Sequence, residues 1–411
     1  MSLVAGATLL LAGATLPAIV GRQRRWRWRK CQQRWWKRAG ACDAGEAYGV
    51  WTTEPWSDSR ASANRGGASD VVAVTSPLVR ARRRGHSRSC VLAYRDAWVT
   101  ISPHSVITSS TEEVAWTLYN CAYVYRRLAV YPVAITLQSA ALNMWTALCD
   151  AKPALEPTMA ACLNELGCAF AATHELARAL KCHQRALDIR RKCLASVGGR
   201  AEHEAAASSM HRLAMLYLAK GNTAAAKKLC EEALDTAGAV HNSDSPHYTV
   251  AHATQCLARV RYSVANTVSA KRDAVELMKS AVAMFRATHG ERTYHRDVAD
   301  AWTCLAWMLL GVGDDTSTAS AKQLFNDAID MYRRMYGGID HCDLAHALHG
   351  LGRVHVAMGQ LESSLELHNA ALTMYKGVFG NMSPHPSIGE VRRGRDEVAA
   401  RVEASVTEES T

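Results

Sequence analysis

The chain has 411 residues and a formal charge of +10 at neutral pH, and the whole excess lies in residues 1–100, which hold 17 Lys/Arg against 6 Asp/Glu. Residues 101–411 hold 31 against 32, so the bulk of the chain is electrically balanced and lacks the basic footprint of a nucleic-acid-binding body. Thirteen cysteines form no C-x-x-C pair, which removes the usual framework for a structural zinc or a thioredoxin-like site.

The first element is an apolar run from Leu3 to Val20, interrupted by Gly6, Gly13 and Pro17. It is short for a membrane span and lacks the basic leader of a secretory signal. Arg22, Arg24, Arg25, Arg27, Arg29, Lys30, Arg34, Lys37 and Arg38 follow it, with Trp26, Trp28, Trp35 and Trp36 interleaved. If the run inserted, these charges would hold the remaining chain on the cytosolic side. No hydrophobic period develops through Cys90, so residues 1–110 read as a largely disordered basic arm. Beside that reading stand a tether to a membrane through residues 3–20, an organellar targeting segment, and phosphate or base binding by the Trp/Arg cluster. The main expectation is a cytoplasmic protein.

From Leu118 onward one pattern returns six times. Ala141, Ala186, Ala233, Ala281, Ala328 and Ala371 hold one slot, at separations of 45, 47, 48, 47 and 43 residues. The last copy is the clearest: Leu348-x-x-Leu351-Gly352-x-x-His355, then Gly359, Ser364, His368 and Ala371-Leu372. A period of this size marks stacked helix–turn–helix units, none able to bury its apolar face alone. Each unit reads as helix A, a turn and helix B. The small residue after Leu in helix A and the Ala of helix B let the two approach closely. Gly221 and Gly359 supply the left-handed residue that ends helix A. The fourth and fifth units are longer by four and three residues between Leu257 and Ala281 and between Leu305 and Ala328, and extended A–B loops are expected there, near 263–269 and 311–320. Histidines in the unit junctions, His247, His295, His341 and His385, read as helix-cap residues rather than ligands or bases. The cysteines read as small packing residues.

Residues Leu163-Asn164-Glu165-Leu166-Gly167 resemble the helix A start of the tetratricopeptide repeat, and Phe379-Gly380…His385-Pro386 resembles a Gly-x-x-His-Pro junction. Both point to the longer variety found in kinesin light chains and nephrocystin-like proteins, over roughly residues 113–388. The heptad coiled coil of a kinesin light chain is absent, so a motor-cargo role is not expected. The resemblance implies an all-α fold, a right-handed superhelical α-solenoid of about six helix pairs. The expected division is residues 1–110 arm, 111–388 repeats and 389–411 capping helix and polar tail.

Helix A lines the concave side of such an array. The inward positions give Arg126, Asn164, His211, Met215, Gln255, Arg259, Trp307, His349 and Arg353 as the candidate groove. Its arginines suit a peptide carrying carboxylates or phosphates. No phosphate loop, nucleophile elbow or H-E-x-x-H motif occurs. The function expected is a non-enzymatic scaffold for a protein or peptide partner, with no cofactor, no metal and no nucleic acid. The alternative is a nucleic-acid- or membrane-associated repeat protein held through its Trp/Arg arm.

Overall fold

A computed structural model describes residues 111–241, 246–290, 294–381 and 383–409. The arm expected over 1–110, with its apolar run and Trp/Arg cluster, lies outside the described residues. Thirteen α-helices and no strand occur among the described residues. They form six antiparallel pairs and one closing helix: α1 Thr111–Arg127 with α2 Tyr131–Ala151, α3 Glu156–Ala172 with α4 Leu176–Val197, and α5 Arg200–Ala219 with α6 Thr223–Gly238. The series continues with α7 Tyr248–Val264 and α8 Val268–His289, α9 Arg296–Leu310 and α10 Asp315–Tyr336, α11 Cys342–Ala357 and α12 Leu361–Phe379, and ends in α13 Pro386–Glu409. The chain is thus a superhelical α-solenoid in which each helix packs on its neighbours in sequence.

The core is built from the small-residue column. All six recurrent alanines of helix B have no solvent exposure. Opposite them, helix A presents Ala122, Gly167, Ala214, Ala258, Ala306 and Gly352, each buried. The two glycines carry an identifiable constraint. A Cβ on Gly167 would lie 2.6 Å from His183 Nε2, and one on Gly352 would lie 2.5 Å from His368 Nδ1. Both histidines are fully buried ring fillers on helix B, three residues before the column alanine. In the other units that position holds Gln138, Cys230, Met278 and Phe325, and helix A there carries Ala. Glycine therefore appears where histidine occupies the facing slot.

The turns within pairs are short everywhere. The extended loops expected in units four and five are not formed: residues 265–267 and 311–314 make the turns, and the extra residues lengthen the start of helix B instead. The cause is capping. Thr267 accepts from the Ala270 amide and Asp314 from the Ser317 amide, which places each helix start one turn earlier than in unit three, where Asn222 accepts from Ala225. Positive φ at Gly221, Gly313 and Gly359 turns the chain out of helix A, and Ala129 and His174 adopt the same conformation in the first two units. The closing helix buries Ile388, Val391 and Val398 against the last pair and turns its charged side chains outward.

Gly167→Ala and Gly352→Ala are expected to lower stability by about 1–3 kcal/mol each, because a close-packed ring must move aside. Urea denaturation followed by circular dichroism checks this, and the change should shrink when His183→Ala or His368→Ala is added to the matching glycine variant.

Candidate functional site

The candidate residues all lie on the first helix of a pair, and they have different duties. Asn164 is consumed in a buried ladder: its Nδ2 donates to Ser209 Oγ at 2.8 Å, and its Oδ1 lies 3.0 Å from His183 Nδ1. Arg126 is locked on Glu165, with Nη2 2.7 Å from Oε2. Gln255 and His349 are buried. Arg353 stands at the exposed end and approaches Glu397 at 3.8 Å. These five are mostly spent on holding the array together.

The middle of the face is different. Arg259 donates from Nη1 to Met215 Sδ at 3.5 Å, across successive helices A. One unit earlier, Arg212 donates from Nη1 to Cys168 Sγ. Sulfur is a weak acceptor, so neither guanidinium has its charge answered by these contacts. No carboxylate lies within ion-pair distance of either arginine among the described residues. Their field is visible in neighbouring groups. His211 is held well below the ordinary histidine range by burial, with His252, Arg212, His183 and Arg259 adding to the effect. His346 is exposed on the same face, with Arg259 among the charges that lower its pKa. Trp307 stacks on His346 at 5.5 Å and meets Phe325 edge-on at 5.6 Å. The buried Trp307 Nε1 and the buried Nδ1 atoms of His211 and His349 have no hydrogen-bond partner among the described residues. The face thus offers cationic forks and an aromatic wall within units three to six.

Arg212 and His346 were not among the sequence candidates. Arg212 lies one residue off the register used to choose inward positions, and His346 lies one turn before His349, beyond the positions chosen. The clue in the sequence was Arg at 212 and 259, about one repeat apart.

Clusters at the unit junctions could suggest metal or acid–base chemistry. Glu204, His241 and His247 converge, as do His289, His295 and Asp297, and His341, Cys342 and Asp343. Their geometry assigns them to capping. The Nδ1 atoms of His247, His295, His341 and His385 accept the backbone N–H two residues on, at 3.2–3.3 Å. Each ring also stacks on a ring at the end of the preceding helix B: His241 at 3.5 Å, His289 at 3.7 Å, Tyr336 at 3.8 Å and Phe379 at 3.9 Å. Tyr and Phe serve that position as well as His does, so it requires a flat ring, not a ligand. Stacked rings also point their lone pairs in parallel, whereas one ion needs them to converge. The junction histidines are therefore neutral structural caps, as the sequence pattern suggested. Burial likewise pushes the Cys121 and Cys162 thiols up to about 12, as befits packing residues.

Neutral caps make stability depend on pH. Burial holds His247 and His341 at about 4, against an ordinary value near 6.5. Between those limits the unfolded chain binds more protons than the folded one, so stability is full above about 6.5 and falls as pH drops toward 4. The urea midpoint should fall between pH 7.5 and pH 5, by an amount equivalent to on the order of 1–2 kcal/mol per buried histidine. His247→Asn, which can still cap, should retain the midpoint better than His247→Ala at pH 7.5.

Two profiles described as tetratricopeptide repeat match the chain, one over residues 297–377 and the other over 159–194 and 206–247. No match is found among curated proteins. Among solved structures, a Rap protein complexed with competence and sporulation factor superposes with a TM-score of 0.51 at 14% identity, covering 84% of this chain and 90% of that one. The apo form of RapI gives 0.50 at 15% identity, covering 75% and 98%. A putative kinesin light chain of Podosopora anserina with nearly identical TPR-like repeats is 20% identical, covering 55% and 98%, with a TM-score of 0.37.

Proposed function

From its place as a tetratricopeptide repeat protein, we propose that this chain is a non-enzymatic scaffold that holds an acidic peptide or partner helix against the inner face of its superhelix. The observation that carries the reading is the pair Arg212 and Arg259, which meet sulfur across adjacent units instead of carboxylate. A partner carboxylate or phosphate can accept two parallel N–H bonds from such a fork, which sulfur cannot. Trp307 and Met215 add apolar surface beside the charge, so an acidic residue next to a large apolar one fits best. Asn164, Gln255 and His349 support that surface from beneath, while Arg126 and Arg353 border it.

The fold supports a binding role, since helix arrays present long grooves that extended segments can follow. The histidine–carboxylate neighbours that could have suggested turnover serve as caps and stacks. No helix among the described residues is long and apolar enough to cross a membrane, and the tether through residues 3–20 remains an alternative role for the arm, with a cytoplasmic location the main reading.

The test is affinity capture with the full-length protein, an Arg212→Glu/Arg259→Glu variant and a chain lacking residues 1–100. The proposal expects the charge reversal to abolish capture, or to weaken a purified partner at least tenfold, with unchanged helicity. It expects the arm deletion to leave capture intact. Binding that disappears with the arm and survives charge reversal would instead favour a partner of the basic segment. Trp307→Ala should weaken the same partner by about 1–2 kcal/mol through lost aromatic contact.

A further inference from the structure

The array does not stay open between its ends. Units one and two come back against the last unit and its junction with the closing helix. The Tyr131 hydroxyl lies 2.9 Å from Cys342 Sγ, 211 positions further along the chain. The Tyr131 ring stacks on Phe379 with centroids 5.9 Å apart, and Phe379 stacks in turn on His385. His385 spans a similar distance along the chain, its Nε2–H donating to the Ala172 carbonyl at 3.2 Å. His174 meets the same ring edge-on at 6.0 Å. His341 reaches the Arg127 backbone. Two successive A–B turns thus meet two successive junctions, displaced by one unit on both sides.

This regularity identifies a repeating contact rather than a chance touch. The capping role of each junction histidine sets the chemistry. With Nδ1 accepting the amide of its own helix, the proton resides on Nε2, and that N–H points away from the helix. In His385 it finds a carbonyl from unit two. Tyr131 is only 4% exposed, although it stands at the first position of α2, beside the turn. Burial, then Cys342 and Asp343, holds its hydroxyl well above the ordinary tyrosine range.

Closure also explains electrostatic coupling between distant units. Arg126 in unit one feels Arg296 in unit five, and Arg212 in unit three feels Asp297 in unit five. Arg259 in unit four acts on His346 in unit six. Helices A from both ends of the array therefore face one another across its inner side.

We propose that the Tyr131–Cys342–Phe379–His385 contact is an intramolecular clasp that closes the superhelix and gates access to its inner face. After about five units the superhelix meets itself. The clasp stands on contacts within the chain; its gating role rests on the partner reading above. A partner segment longer than the gap would enter only after the clasp releases, since Arg212 and Arg259 face the enclosed side. The contact is small, with Tyr131 and His174 on one side of the seam and Cys342, Phe379 and His385 on the other, which suits a reversible closure.

The experiment measures alkylation of Cys342 by N-ethylmaleimide in the full chain, mapped by peptide mass spectrometry, together with small-angle X-ray scattering. In the unmodified sequence Cys342 should react slowly and the scattering should match a closed superhelix. Tyr131→Ala should speed Cys342 alkylation at least tenfold and increase the maximum dimension. His385→Asn, which keeps a cap but is too short to reach Ala172, should move both readouts in the same direction at unchanged helicity, and it decides the matter if Tyr131→Ala loses helix. Fast alkylation in the unmodified protein, or no change of rate and scattering in His385→Asn, overturns the clasp. The Arg212→Glu/Arg259→Glu variant should keep Cys342 protected while losing capture, so clasp and partner reading fail separately. For the gate, His385→Asn should speed association with the captured partner; an unchanged association rate removes the gating role.

Discussion

The close approach of helix B to helix A is the constraint on which the rest of the structure depends. Six alanines with no exposed surface set that distance, and a small residue on helix A answers each of them. Close approach buries the large apolar side chains on either side of the column and fixes the angle between successive units. From that angle follow the facing of helices A toward a common interior and the return of the last unit toward the first. A solenoid has no closed core to absorb errors, so each interface must be right by itself.

The junctions provide the second constraint. A histidine that caps the next helix A and stacks on a ring of the preceding helix B ties three elements with one side chain. Its neutrality is enforced by burial, which links the integrity of the array to pH. The same orientation leaves Nε2–H pointing away from its own helix, and in His385 that donor crosses to unit two. Local capping chemistry and long-range closure therefore share one tautomer. The arginines of the middle units differ, because Arg212 and Arg259 meet sulfur at hydrogen-bond distance.

Much of the fold was legible because it repeats. Six copies of the alanine slot outweigh any single irregular segment, and Gly221 and Gly359 mark their turns by the backbone conformation they supply. The longer units misled because added residues look like loop when only spacing is counted. Thr267 and Asp314 are strong caps, and they turned the extra length into helix. The candidate site was less readable. Asn164 and Arg126 each have a partner in the next unit that spacing alone does not reveal, Ser209 for one and Glu165 for the other. Arg212 was missed because one residue along a helix turns the side chain by about 100°, and its direction depends on how neighbouring helices A lie. The clasp was beyond reach, since no local pattern relates Tyr131 to Cys342.

The measurement that tests this account most directly is the stability of Ala233→Leu beside that of Glu231→Leu, by urea denaturation of the full chain. Both changes add the same side chain two residues apart on α6, one inside the column and one on the exposed face. The account predicts a loss of about 1–3 kcal/mol or outright unfolding for Ala233→Leu, with little change for Glu231→Leu. Equal midpoints for the two variants would mean that the column does not set the packing of the helix pairs, and would contradict the account at its base.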